Sequence, residues 1–258
     1  MIAVVTGSSS GIGYAICELL RDRGYKVYGF SRRGSVPEGC VGFAVDIADE
    51  TAVKKAIDKI AADGQRIDVL VNNAGMGIAG PIEFTSKDDA RLIVDINFMG
   101  QFYCTAAVLP YMRKQNAGHI VFVSSVAGSI AIPYQGFYSA TKAATNAFAL
   151  SLRNEVKDYN IAVCAVEPGD TVTGFTDERK KDASGLDAYP HCEASLASME
   201  KDERNGMSAS FVAHLVVKAA EKKNPKPLYV TGIKYKVFYM LFKFLPSRLA
   251  YWIVSKMY

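Results

Sequence analysis

Ile2–Thr6 is an apolar, β-branched run that ends at once in glycine, the pattern of a strand buried in a parallel sheet. Residues 14–21 then space their apolar side chains as a helix does, so Gly7, Gly11 and Gly13 fall in the connection that opens that helix. A second apolar run, residues 26–30, predicts a second strand, and strand, helix and strand in succession predict an α/β chain. Residues 98–113 and 139–157 read as further helices. The latter carries Ala140, Ala143, Ala144, Ala147, Phe148 and Leu152, small or apolar side chains that allow close contact with a symmetry mate. Between Asp170 and Met207 the pattern turns polar, with Thr176, Asp177, Glu178, Arg179, Lys180, Lys181 and Asp182 in succession, then Gly185 and Gly206. Such a segment predicts a mobile substrate lid over residues 170–207. Residues 234–258 are densely apolar and aromatic, but Lys243 and Pro246 interrupt them, and neither half approaches the roughly 20 apolar residues that crossing a bilayer requires.

Composition sharpens this picture in three places. At 258 residues, half of them apolar and without internal repeat or low-complexity tract, the chain suits one domain with a sheet covered on both faces. Its formal charge of +4 is made by the tail: residues 222–258 hold Lys222, Lys223, Lys226, Lys234, Lys236, Lys243, Arg248 and Lys256 and no acid. Three readings of residues 234–258 stand open: ordinary core or subunit contact, the wall of an apolar substrate cleft, or a basic, aromatic amphipathic helix in peripheral contact with an anionic membrane. Five cysteines (Cys17, Cys40, Cys104, Cys164, Cys192) and three histidines (His119, His191, His214) are scattered without a C-x-x-C pair, which predicts no disulfide framework and no metal site. A first strand beginning at Ile2 leaves no room for a signal peptide, so a cytoplasmic protein is expected, membrane-associated if the tail lies on lipid. Nothing points to nucleic acid.

Two motifs carry chemistry. The turn Thr6-Gly7-Ser8-Ser9-Ser10-Gly11-Ile12-Gly13 reads as a phosphate cradle: glycine lets backbone N–H groups approach a pyrophosphate, and the helix N-terminus adds partial positive charge. Its G-x-x-x-G-x-G spacing fits neither G-x-G-x-x-G nor the P-loop, which needs a Lys after the last glycine. The run Tyr138-Ser139-Ala140-Thr141-Lys142 places an ammonium one helical turn beyond a phenol. A phenol holds its proton to about pH 10, and Lys142 is expected to lower that value so that Tyr138 exchanges a proton with substrate near neutrality.

Further motifs stand in order along the chain. Asp46-Ile47 follows the third strand, Asn72-Asn73-Ala74-Gly75 the fourth (residues 67–71), and Asn97-Phe98-Met99-Gly100 lies in the next helix. Val121-Phe122-Val123-Ser124-Ser125 closes the fifth strand, Pro168-Gly169 and Thr173 follow the sixth, and Ser125 precedes Tyr138 by 13 positions. From residue 2 to about residue 232 the chain resembles the short-chain dehydrogenase/reductase family. The resemblance implies a single doubly wound Rossmann domain over residues 1–258, with a mostly parallel seven-stranded sheet and helices on both faces, and residues 234–258 as a hydrophobic, basic extension. It implies interconversion of a ketone and a secondary alcohol by hydride transfer. By the same resemblance Tyr138 is the general acid, Ser125 orients the carbonyl oxygen, Lys142 lowers the phenol pKa and holds the nicotinamide ribose, and Asn97 keeps a kinked helix and an ordered water in a proton relay. Cofactor contacts are implied for Gly7, Ser9, Ser10, Gly11, Ile12, Gly13, Asp46, Ile47, Asn73, Ala74, Gly75, Tyr138, Lys142, Pro168, Gly169, Thr171 and Thr173.

Charge suggests which cofactor. Where an NAD site wants an acid for the ribose 2′-hydroxyl, about 20 residues beyond the glycine turn, this chain has Ser31-Arg32-Arg33. Guanidinium groups pair with a 2′-phosphate, so NADP(H) is expected, with Arg32, Arg33 and the Ser9 hydroxyl on the phosphate and Asp46 at the adenine. A homodimer or homotetramer pairing residues 98–113 and 139–157 with their mates is expected. Pro227-Leu228-Tyr229-Val230-Thr231-Gly232 leads into the aromatic extension, unlike the ending of acyl-carrier-protein ketoreductases; the ending is similar to that of the hydroxysteroid and retinol dehydrogenase branch. A lipid-like ketone such as a ketosteroid is therefore the expected substrate. A 3-oxoacyl thioester or sugar ketoreductase is the alternative within enzymes, and an NADP(H)-binding sensor or scaffold the alternative outside them.

Overall fold

All five side chains of β1 (Ile2–Thr6) are buried, and they alternate between two cores. The sheet built around it comprises β2 (Lys26–Ser31), β3 (Val41–Ala44), β4 (Val69–Asn72), β5 (Gly118–Val123), β6 (Ile161–Glu167) and β7 (Leu228–Val230). The computed structural model describes residues 1–64, 66–181 and 186–257; Asp182, Gly185 and Tyr258 lie outside the described residues. Strand order is β7-β6-β5-β4-β1-β2-β3, and the expected mostly parallel sheet is parallel in every one of these pairings.

Each face is covered by helices whose apolar stripes the strands match. Ile2, Val4, Phe30, Leu70 and Phe122 meet α2 (Glu50–Gly64), α4 (Gly100–Gln115) and α5 (Gly136–Glu155) on one side. Ala3, Val5, Val69, Val71 and Val121 meet α1 (Gly11–Asp22) and α7 (Ala209–Ala220) on the other. At about 1.5 to 3 kcal/mol for each fully buried aliphatic side chain, a polar group at Val4 or Val5 would lose that burial and find no water.

Helix α3 (Lys87–Val94) starts where Ser86 Oγ accepts from the Asp89 N–H at 3.1 Å, and five residues of π-helix, Asp95–Met99, join it to α4. Lys87–Gln115 is, among the described residues, the one helix long and apolar enough to cross a membrane; here its Cys104, Val108 and Met112 are buried against the sheet.

Residues 170–207, the segment expected to form a substrate lid, contain short strand pairings and a helix. Thr171–Val172 pairs with Met207–Ser208, Lys180–Lys181 pairs with Ile78–Ala79, and α6 (Cys192–Arg204) buries Cys192, Leu196 and Met199. Several of the segment's charges are paired, within it or across to α3. Arg179, its side chain 1% exposed, pairs with Glu203, while Lys180 meets Asp89 at 2.6 Å and Arg204 meets Asp177 at 2.8 Å. Exposed pairs of that kind contribute little, whereas breaking the enclosed Arg179–Glu203 pair would leave a charge in the interior. Beyond β7, α8 (Ile233–Phe244) and α9 (Ser247–Met257) form a hairpin. Its inner side chains, Tyr235, Phe238, Tyr239, Phe242 and Val254, pack on Val126, Ile130 and Val230.

Candidate active site

In a parallel sheet of this order, connections leaving β1 and β4 part company at the carboxyl ends of the strands and open a crevice. A cavity of about 850 Å³ lies there, walled by the glycine turn, by residues 73–77, by Ser125, Tyr138 and Lys142, and by the C-terminal hairpin.

The cradle follows from backbone geometry. Gly7 and Gly11 adopt φ of +69° and +56°, a conformation side chains rarely take. Gly13 is needed for close approach instead, since a Cβ there would stand 2.1 Å from Gly7 O and 2.4 Å from Asn73 Nδ2. Helix α1 begins at Ser10 with no side-chain cap and no acid in its first turn, which leaves its N–H groups and positive end for an anion. These features fit the pyrophosphate of a dinucleotide. Thr6 has a role its place in the motif does not announce: its hydroxyl accepts from the N–H groups of Asn73 and Ala74, both at 3.0 Å, and so clasps the exits of β1 and β4 together. A hydroxyl ending an otherwise apolar strand was the signal.

Helix α5 carries Tyr138 and Lys142 on one face. Lys142 is buried, its Nζ donates to Val123 O at 2.9 Å and stands 5.7 Å from the centre of the Tyr138 ring, and burial draws its pKa down to about 8. The Tyr138 ring lies 5.6 Å from that of Phe175. Burial pushes its phenol up to about 12, with the Ser125 hydroxyl pulling the other way. The expected depression of the phenol pKa by Lys142 is therefore not met. In this arrangement the ammonium meets the ring and the Val123 carbonyl, and desolvation is the larger effect. Ser125 opens the short turn Val126–Gly128, where its Oγ accepts from the Ala127 N–H at 3.1 Å; with a lone pair so engaged, its proton remains to be donated.

Asn97 lies in the π-helical segment, fully buried and off the cavity wall. Its Oδ1 accepts from Met76 N at 2.8 Å, and its Nδ2 donates to Met76 O at 2.9 Å and to Thr141 Oγ1 at 3.2 Å. Its amide thus holds the loop after β4 against α5. Of the implied cofactor residues, Gly7, Ser9, Ser10, Gly11, Ile12, Arg32, Asp46, Ile47, Asn73, Ala74, Gly75, Pro168, Gly169, Thr171 and Thr173 line the cavity with Tyr138 and Lys142. Gly13 and Arg33 do not; Gly13 acts through packing, and Arg33 is exposed beyond the strand end.

Two further residues support the site. Glu167 ends β6 inside the protein, where its Oε1 accepts from Ser129 Oγ at 2.6 Å and Asn146 Nδ2 at 2.7 Å and burial raises its pKa. It ties the segment after Ser125 to the helix bearing Tyr138 and Lys142. An acid closing an apolar strand was a readable oddity. Glu203, by contrast, lines the cavity through a pairing with Arg179 that no local spacing announces.

Comparison with known proteins gives concordant matches. The family profile described as short chain dehydrogenase matches residues 1–184. A protein of Bacteroides thetaiotaomicron named 3-ketodihydrosphingosine reductase is 40% identical over 228 residues, covering 87% of this chain and 85% of that protein. A short-chain dehydrogenase from Streptomyces avermitilis superposes with a TM-score of 0.84 at 27% identity, over 93% of this chain and 90% of its own. The structure described as ElxO with NADP bound gives a TM-score of 0.76 at 26% identity, over 92% of this chain and 98% of its own.

Proposed function

The chain belongs to the short-chain dehydrogenase family and is an oxidoreductase of that family, and from that premise we propose that it reduces a lipid-like ketone to a secondary alcohol with NADPH. One observation carries the reading: the phosphate cradle, the Ser125, Tyr138 and Lys142 side chains, and the apolar wall of Val237, Phe238 and Leu241 share one cavity.

With its pyrophosphate in the cradle, a bound nicotinamide cofactor would supply the hydride. The protein's part is the proton and the position of the carbonyl. Ser125 donates to the carbonyl oxygen and Tyr138 gives that oxygen its proton. A phenol raised to about 12 keeps its proton throughout the neutral range, which suits it to act as acid in reduction. Lys142 holds the ribose and places a cation beside the phenol. Asn97 is a positioning residue, since its amide fixes Met76 and Thr141 around the reacting groups. Arg32, on the cavity wall at the end of β2, is the residue we assign to the 2′-phosphate, with Ser9 beside it.

Within lipid-like ketones the reading favours a 3-keto long-chain base. The relative's name supports it, and so does the wall, which joins aliphatic and aromatic groups to the carboxylates of Asp170, Glu178, Asp202 and Glu203, a suitable setting for an amino ketone with a long tail. A ketosteroid is the second reading, favoured by the aromatic C-terminal ending. The unpaired cysteines suit a reducing, cytoplasmic compartment. NADPH consumption with 3-ketodihydrosphingosine, a ketosteroid, an acetoacetyl thioester and a keto sugar tests the proposal. Turnover is expected on the first and, more weakly, the second. Turnover confined to the thioester or sugar would overturn the substrate class, and none at all would leave a nucleotide-binding protein without this activity.

A further inference from the structure

The outer face of the C-terminal hairpin meets the cavity above only at Val237 and Leu241. Helix α8 is apolar on two sides: Tyr235, Phe238, Tyr239 and Phe242 pack inward, while Ile233, Val237, Met240, Leu241 and Phe244 recur at helical spacing and are exposed. Ile233 and Phe244 are each 81% exposed. Leu249, Tyr251 and Trp252 of α9 extend the patch, so eight of the seventeen exposed large hydrophobics among the described residues fall within twenty positions. Around them stand Lys234, Lys236, Lys243, Arg248 and Lys256, in a stretch without a single acid. A helix apolar all round is ordinarily covered.

We propose that this face docks on an anionic lipid bilayer. Charge selects the occupant. A second copy of the chain, related by a two-fold axis, would set this acid-free stretch against itself, cation on cation, whereas anionic headgroups complement it. Aliphatic anchors, interfacial Trp and Tyr, and Lys and Arg at the border are the arrangement of helices lying in a membrane surface. Helices of 12 and 11 residues, broken by Pro246, are too short to span. Val237 and Leu241 stand both on the exposed stripe and on the cavity wall, so a bilayer seated here faces the entrance used by an apolar ketone. The docking goes beyond the substrate reading and is measured with no substrate present.

The chain's only tryptophan, Trp252, is 58% exposed on this face and reports on it directly. The full-length protein is titrated with vesicles of phosphatidylserine in phosphatidylcholine and with vesicles of phosphatidylcholine alone, following Trp252 emission and co-sedimentation. The emission should move to shorter wavelength and the protein sediment with the anionic vesicles. About 1 M salt, which screens charge beyond about 3 Å, should release most of it. Lys236→Glu with Lys243→Glu should lower partitioning by at least about 25-fold, at about fivefold for each cation near the lipid surface. Ile233→Ser with Met240→Ser and Phe244→Ser should abolish it. None of these five side chains lines the cavity, and unchanged thermal unfolding of the variants shows that the fold persists. Failure to bind anionic vesicles at low salt, or equal binding to both vesicle types, overturns the proposal. So does a solution mass that halves when the apolar trio is replaced, which would give the face to a second copy.

Discussion

A tyrosine whose proton is held tightly and a lysine whose proton is held loosely sit one helical turn apart, and each makes a distinct prediction. Tyr138→Phe keeps the ring beside Phe175 and removes only the hydroxyl; kcat for ketone reduction should fall at least 10²-fold, the share expected of general acid catalysis, with NADPH affinity near wild type by fluorescence titration. Lys142 has a folded pKa of about 8 against 10.5 for the free side chain. Below pH 8 it is charged in both folded and unfolded chains, and the fold bears the full penalty of burying that charge. From pH 8 to about 10.5 the unfolded chain binds more protons than the folded one, so the penalty fades as pH rises. Lys142→Met should accordingly gain stability over wild type by about 3 kcal/mol at pH 7, and the gain should vanish by pH 11 in urea titrations. For the cofactor, Arg32→Ala should weaken NADPH by about 1.5 to 3 kcal/mol, the range for a hydrogen bond to a charged group, and leave NADH unchanged. Arg33→Ala should do little, since Arg33 stands off the cavity. Equal losses from the two would show that both reach the phosphate.

At the scale of elements, the glycine turn distinguishes two reasons for the same residue. Gly13→Ala drives a methyl group into the Gly7 carbonyl and should cost at least about 3 kcal/mol and abolish NADPH binding. Gly24 has φ of +80° but nothing within 4 Å, so Gly24→Ala should cost about 1 to 2 kcal/mol and spare binding. Denaturant titration with a fluorescent NADPH assay separates them. The strands, the glycine turn and the helix bearing Tyr138 were legible because each is written in a local period or a short motif. What sequence could not deliver lies in pairings across distance. Arg179 and Glu203 are 24 residues apart, and only the folded chain shows that the Arg179 guanidinium is enclosed against Glu203. The same holds for the phenol pKa: spacing put Lys142 on the right face of α5, but whether its ammonium or the surrounding burial governs Tyr138 depends on the Val123 carbonyl, supplied by strand β5.

For the whole molecule, α4 and α5 present Phe102 and Leu150, 39% and 40% exposed, beside an aromatic cluster of Phe98, Phe102 and Phe148. These are the helices expected to meet a symmetry mate, on a face separate from the C-terminal hairpin. Light scattering at micromolar concentration should return at least twice the 28.0 kDa chain mass, and Phe102→Glu with Leu150→Glu should return the single chain. The sheet has a further consequence on the ribosome. The face formed by Ala3, Val5, Val69 and Val71 is shared by α1 and α7, and α7 begins only at Ala209. At about 5 to 20 residues per second, the first strands wait roughly 7 to 30 seconds for the helix that covers them. During that interval the part of this face that α1 does not cover stays bare, an aliphatic surface open to aggregation until α7 is made.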